Sequence, residues 1–312
     1  MRVHELALVQ QLRDGLSQCE SGPVPLPGIQ QHARRDAFVG QLVDSIRRVR
    51  FVPTIAARSI HPDRGDGLST MFDPVKAAVL HMRAGDVEEA CWLIFIFVHF
   101  GKHARSGYRY TREVYSALGT RAPWTFANTS ADVAGFRAWL DAHQDEISRG
   151  GRRGFGNHRK YQSLSAYKPN GTGDAFATYV QWVRGRGNHV ALIDTALQQA
   201  NGSPALAFDL LYRSMEAVRS FGRTARFDYL TMLGKLGIAN IRPGSAYFSA
   251  ATGPVVGARL MLQGNTNTDL SVRELDRRVA VMAQHLGVGM QEMEDSLCNW
   301  QKSPEYYVRF LA

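Results

Sequence analysis

The chain is poor in cysteine. Cys19, Cys91 and Cys298 are its only three, far apart in sequence. No C-x-x-C pair and no zinc-ligand spacing can be drawn from them, which excludes a disulfide framework and a cysteine-based zinc module. Cys91 and Cys298 stand in apolar surroundings and are expected as small buried side chains. A reducing cytoplasmic setting fits this usage. Long apolar runs are lacking too: the most hydrophobic stretch, residues 90–98 (ACWLIFIFV), falls well short of the roughly 20 residues a bilayer requires. No stretch alternates with the period of two that marks a half-buried strand, so the expected fold is all-α. Residues 1–18 mix apolar and charged side chains, unlike a secretory leader, and no membrane partner is expected. No group of ligand residues has metal spacing, so neither a metal nor a cofactor is expected. Acid is scarce relative to base: 28 Asp and Glu against 37 Lys and Arg give a formal charge of +9 and a pI near 9.7. This balance suits an anionic partner, whether nucleic acid, nucleotide or phosphorylated substrate, without choosing among them. With 312 residues and 45% hydrophobic content the chain can bury a substantial core, as one large domain or two small ones.

Helical periodicity runs through most of the sequence. Residues 3–16 and 37–52 read as amphipathic helices joined by a Pro/Gly linker at 21–29. Asp73-Pro74 opens a helix to about Met82, with Asp73 as cap and Pro74 in the first turn. Residues 90–98 follow Asp86, Glu88 and Glu89, whose charge suits a helix start, and are expected as the buried central helix. Residues 133–147 form another helix, and 175–200 form two, broken near Gly185–Gly187. In the segment from 204, Phe208, Leu211, Met215 and Val218 make one stripe, ended by Phe221-Gly222. A second helix from about Thr224 buries Phe227, Leu230, Leu233 and Leu236, with Asp228, Thr231 and Lys235 opposite. A third opens at Thr252-Gly253-Pro254. Leu275, Val279, Met282 and Leu286 form the apolar face of the next, and Met290, Met293, Leu297 and Trp300 that of the last. The expected division is an N-terminal helical region, 1–85, and a helical core, 86–312, carrying a basic glycine-rich loop at 149–174.

Five groups of residues are suited to chemistry, each with a plainer alternative beside it. Residues 102–112 interleave Lys102, Arg105, Arg109 and Arg112 with Tyr108 and Tyr110, a pattern that can hold a nucleic-acid strand or simply form a solvated turn. His99, Lys102 and His103 follow the central helix, where helix-dipole partners also sit. Residues 149–160, RGGRRGFGNHRK, hold five positive charges, four glycines and no acid. Glycine lets backbone approach a ligand and arginine pairs with phosphate oxygens, so this is the leading anion site. It lacks the Gly-Lys-Ser/Thr ending of a P-loop, and a basic surface loop is the alternative. TGPVVGA at 252–258 offers unpaired N–H groups at a helix start, through Gly253 and Gly257, as a phosphate seat or an ordinary helix start. In 288–302, Asp295, Asn299 and Lys302 share one helix face and Glu294 borders the apolar stripe. Such a group is acid/base machinery or a surface salt bridge.

The segments HFGKHARSGYR, GFGNHRKYQSL, MEAVRSFGRTARFDYLTMLGKLG, PGSAYFSAATGPVVGARLM and MEDSLCNWQKSP together resemble the third clade of the alpha-glutamyl/putrescinyl thymine pyrophosphorylase family. The resemblance runs from about residue 90 to 304, and the first ninety residues carry none of it. It implies a fold like that of the helix-hairpin-helix DNA glycosylases, all-helical enzymes that extrude their target base. It also implies work on hypermodified thymine in DNA: replacement of the (pyro)phosphate on a 5-(pyro)phosphomethyluracil by the amine of an amino acid or polyamine. The glycosylase Leu-Pro-Gly-x-Gly hairpin is met only loosely by TGPVVGA, which leaves base excision less well supported.

On that resemblance the residues take expected roles. Arg152, Arg153, Arg159 and Lys160, with Asn157 beside them, meet the leaving phosphates, together with Lys102 and His103. Glu294 or Asp295 keeps the amine neutral. Lys302 or Arg223 holds an amino acid's carboxylate. His158 protonates the leaving oxygen. Asp228 and Tyr229 line a base pocket. Two other readings stay open: a hydrolase that removes a modified or damaged base, and a DNA-binding module without chemistry whose basic loop supplies salt-dependent affinity.

Overall fold

The computed structural model describes residues 3–22, 24–149, 154–156, 159 and 162–309. Fourteen α-helices and no strand are present among them. They are α1 (Val3–Glu20), α2 (His32–Ala57), α3 (Pro74–Arg83), α4 (Val87–Phe100), α5 (Arg109–Tyr115), α6 (Phe126–Ala131), α7 (Val133–Ser148), α8 (Thr172–Arg184), α9 (His189–Gln199), α10 (Pro204–Ser214), α11 (Arg223–Lys235), α12 (Gly253–Gln263), α13 (Val272–Leu286) and α14 (Met290–Trp300). The all-α expectation holds. The chain divides into two compact units: one of residues 1–53 and 243–312, the other of residues 54–242. The first boundary falls at Pro53, inside α2. The position expected for a boundary, between 85 and 86, lies within the second unit, where α3 packs against α4.

In the unit of residues 1–53 and 243–312, α12 packs on α14 and α13, and α1 packs on α13. The stripes expected from spacing are the ones buried: Leu275, Val279, Met282 and Leu286 are fully covered, as are Met293, Leu297 and Trp300. Phe38 of α2 meets Trp300 edge to face at 5.6 Å. Two glycines let backbones touch. A Cβ on Gly28 would stand 1.9 Å from the Leu260 carbonyl oxygen, and one on Gly257 would stand 2.3 Å from that of Leu297.

In the unit of residues 54–242, α4 is the central helix. Residues 90–96 are all fully buried, and α3, α5, α6, α9 and α11 pack around them. Each large apolar side chain so covered contributes on the order of 1.5–3 kcal/mol. Asp86 caps α4 through Glu89 N, and Asp73 caps α3 with Pro74 in its first turn, as their spacing predicts. Phe95 stacks on Tyr179 at 3.8 Å, and Phe136 on Phe176 at 4.6 Å.

Three departures from the sequence reading have local causes. α10 ends at Ser214, before Val218. The Ser214 hydroxyl donates to the Leu211 carbonyl and accepts from Trp182 Nε1, a competitor to continued helix bonding. Met215–Ala217 tightens into a 3-10 turn and Val218 is extended, yet both Met215 and Val218 still reach the core. α5 and α6 were not legible at all: at 7 and 6 residues they are too short to show a period. Cys298 is only half-buried, whereas Cys91 is buried as expected.

Candidate functional site

The site is best built from the C-terminal end of α4. Gly101 closes that helix with φ 67°, a left-handed conformation suited to glycine. The chain then makes a tight turn in which His103 N donates to the Gly107 carbonyl and Gly107 N to that of His103, both at 2.9 Å. Inside the turn, His103 Nδ1 accepts from Arg105 N at 3.3 Å and Ser106 N at 3.1 Å, and the Ser106 hydroxyl lies 2.9 Å away. Lys102 and Arg105 are exposed, and neither has a carboxylate partner among the described residues. The Lys102 ammonium lies over the Tyr108 ring, 5.6 Å from its centre. Arg109 pairs instead with Glu113.

Onto this turn packs the described part of the glycine-rich stretch. Gly156 N donates to the Phe100 carbonyl at 2.7 Å. A Cβ on Gly156 would stand 2.9 Å from Lys102 N, and one on Gly101 would stand 3.1 Å from the Gly156 Cα, so the two backbones meet only because neither residue has a side chain. Phe155 stacks on Phe100 at 5.5 Å and meets Tyr110 edge-on at 5.4 Å. Gly154 faces His103: a Cβ there would sit 3.7 Å from Nε2. At the other end, Arg159 is only 8% exposed. Its Nε donates to the Val98 carbonyl at 2.8 Å and its Nη2 to Asp228 at 3.2 Å. Burial pulls its basicity down and the Asp228 charge pushes it back up. The segment therefore bridges two points, the His103 turn and Asp228 of α11.

Behind it, His99 is fully buried. Its Nε2 donates to the Thr172 hydroxyl at 3.0 Å, because that hydroxyl gives its own proton to the Ser163 carbonyl. Burial first, and then the Arg159 charge, lower its pKa to about 3, so it is a neutral core group.

The other sequence candidates fall as follows. Arg152, Arg153, Asn157, His158 and Lys160 lie outside the described residues. Arg223 opens α11, is 8% exposed, and sets its guanidinium 5.0 Å from the centre of the Phe227 ring. Asp228 has a side chain 42% exposed, but Tyr229, one position on, turns into the core. The Tyr229 hydroxyl lies 2.8 Å from that of Tyr179, so these two do not share a pocket wall; consecutive helical residues point about 100° apart.

Glu294, Asp295 and Lys302 belong to the unit of residues 1–53 and 243–312. Asp295 Oδ2 accepts from Ser45 Oγ at 2.8 Å and from Arg48 Nε and Nη2 at 3.0 and 2.7 Å. Its Oδ1 accepts from Asn299 Nδ2, whose amide oxygen accepts from Lys302 Nζ, both at 2.9 Å. Asp295 is thus the hub of a network joining α2 to α14. Glu294 is half-buried beside it. Gly257 serves the close crossing of α12 over α14, and a Cβ on Gly253 would stand 2.8 Å from Cys298 Sγ. Thr252, at the N-cap position of α12, makes no side-chain cap bond.

Sequence reasoning missed a buried polar chain in the central unit. Glu88 accepts from the His189 and Val190 amides and pairs with His189 Nδ1 at 2.7 Å. His189 Nε2 meets the Tyr179 hydroxyl at 2.7 Å, which meets Tyr229. Burial pushes Glu88 upward, but the His189 bonds outweigh it and hold the carboxyl below its ordinary value. Glu89, read as a helix-start charge, is instead buried between the Tyr115 hydroxyl and Phe126 N. No periodicity signals either glutamate's partner, because both partners come from distant helices. Among the described residues no group of three or more His, Cys, Asp or Glu could hold a metal ion, and no helix is long and apolar enough to cross a membrane.

Compared with known proteins, residues 33–312 match the family model for alpha-glutamyl/putrescinyl thymine pyrophosphorylase clade 3. The match begins well before residue 90, so α2 and α3 share a family pattern that the motifs alone did not reveal, while α1 lies outside it. No curated protein and no solved structure matches the chain.

Proposed function

The chain belongs to clade 3 of the alpha-glutamyl/putrescinyl thymine pyrophosphorylase family, and from that membership we propose that it replaces the (pyro)phosphate of a 5-(pyro)phosphomethyluracil in DNA with the amine of an amino acid or polyamine. In this reaction the amine lone pair forms a C–N bond at the 5-methylene carbon. The C–O bond to the phosphate breaks, and its electron pair leaves with the oxygen. The surplus proton of the amine passes to a carboxylate.

One observation carries the reading beyond the family name. Residues 154–156 pack on a turn bearing Lys102, His103 and Arg105, and Arg159 pairs with the partly exposed carboxylate Asp228. Cations suited to phosphate and a carboxylate suited to a proton thus bracket one short stretch. Asp228 is the proposed proton acceptor and Lys102 with Arg105 the proposed phosphate cations. Arg159 acts as the anchor between them rather than as a ligand of the leaving group. Of the acceptors expected from the sequence, Asp295 already has both oxygens engaged.

The test uses DNA carrying phosphorylated and pyrophosphorylated hydroxymethyluracil, incubated with the protein and a pool of amino acids and polyamines. Nucleosides from the digested product are then weighed by mass spectrometry. A nucleoside that has lost phosphate and gained an amine supports the reading and identifies the donor. Free base with abasic sites would replace transfer by excision.

A further inference from the structure

His103 stands out because its hydrogen bonding fixes its tautomer. Two backbone N–H groups, from Arg105 and Ser106, point at Nδ1. A nitrogen that accepts from N–H donors carries no proton of its own, so the neutral ring holds its proton on Nε2. A Cβ built on Gly154 would stand 3.7 Å from that Nε2, so a side chain there would touch the donor. Lys102 and Arg105 of the same turn are exposed cations, and no carboxylate of the described residues pairs with them. The ring is half-buried and held at Nδ1, so it presents a single N–H donor in fixed position on a turn that carries positive charge.

We propose that His103 is a preorganised hydrogen-bond donor to a phosphoryl oxygen, held in its Nε2–H tautomer by the 103–107 turn, with the side-chain-free Gly154 beside its Nε2. The proposal rests on the reading above for the ligand being a phosphate. The phosphate comes from one of two sources, the pyrophosphate attached to the base or the DNA backbone. The chemistry at His103 is the same for both: a directed N–H on a phosphoryl oxygen, with Lys102 and Arg105 supplying charge.

Two substitutions isolate the donor without removing the turn. In His103→Asn the amide oxygen accepts from the amides two and three residues on, as asparagine does in ordinary turns, but nothing reaches the Nε2 position. In Gly154→Ala the new methyl sits 3.7 Å from Nε2, an ordinary van der Waals contact, and crowds the donor.

The experiment has two readouts on the full-length protein, and neither depends on amine transfer. Long-range proton–nitrogen NMR of histidine-labelled protein reads the His103 tautomer. Calorimetric titration with inorganic pyrophosphate and, separately, with an unmodified single-stranded oligonucleotide reads affinity. The Nε2–H tautomer is expected, with binding weakened roughly tenfold or more in both variants at unchanged melting temperature. Weakening confined to pyrophosphate identifies the leaving group as ligand, and weakening confined to the oligonucleotide identifies the backbone. An Nδ1–H tautomer, or variants that bind both probes as the parent does, overturns the proposal. Failure of amine transfer with these results intact would instead count against the proposed reaction alone.

Discussion

The Arg159 Nε donates a 2.8 Å hydrogen bond to the carbonyl of Val98, near the end of the central helix. A residue that charge counting assigns to a phosphate is thereby an internal tie, closing a helix-end carbonyl and pairing with Asp228. Replacing Arg159 by Ala should destabilise the protein by about 3 kcal/mol or more, since a buried carbonyl loses its donor and a carboxylate its partner. Urea unfolding checks this. An unchanged midpoint would return Arg159 to the list of ligands.

Arg105→Ala should behave oppositely. The side chain is exposed and makes no ion pair among the described residues, so stability should change by less than about 0.5 kcal/mol. Affinity for DNA should fall, and the slope of log affinity against log salt should flatten by roughly one unit. Salt titrations of parent and variant measure both.

Gly257→Ala separates packing from phosphate binding. The added Cβ meets the Leu297 carbonyl oxygen at 2.3 Å, a backbone atom that cannot swing aside, so α12 and α14 must part. A loss of about 1–3 kcal/mol is expected from such overpacking, whether or not phosphate is present. Protection of the parent, but not the variant, by added phosphate would favour the helix-start seat instead.

The pH dependence has a definite sign. His99 and His189 are buried, and burial lowers the pKa of each below the ordinary 6.5, His99 to about 3. The unfolded chain therefore takes up protons that the folded chain refuses, and stability falls as pH drops below 6.5. Glu88, held below its ordinary value by His189, adds to the loss as pH falls through its own range. Glu89 opposes it: burial raises its pKa, so protonation of the folded state relieves a cost. The histidines set the sign between pH 6.5 and 5, where carboxylates at or below their ordinary value have not yet titrated and only Glu89 works against them. Thermal melts across that range should show a falling midpoint, and Tyr179→Phe, which removes one His189 partner, should alter its steepness.

The helices with strong periods were legible because apolar spacing alone decides which face is buried. α4, α13 and α14 follow directly from residues 90–98, Leu275–Leu286 and Met290–Trp300. What escaped was everything set by partners remote in sequence. Asp295 reads as half of an acid/base pair until Ser45 and Arg48 are seen on it. Gly257 reads as a phosphate seat until Leu297 is seen against it. Tyr229 reads as a pocket wall until Tyr179 is found at its hydroxyl. Polar spacing along one helix records which side chains share a face, not what lies across from them.

The most direct measurement follows pyrophosphate and amine in one reaction. DNA with 5-pyrophosphomethyluracil is supplied with an isotopically labelled amine donor, and released pyrophosphate, incorporated label and abasic sites are counted together. One pyrophosphate should appear per amine retained in DNA, only when the donor is present, with no abasic sites, and Asp228→Asn should slow both products equally. Pyrophosphate release without any amine, or release of the base itself, would contradict amine transfer as the activity of this protein.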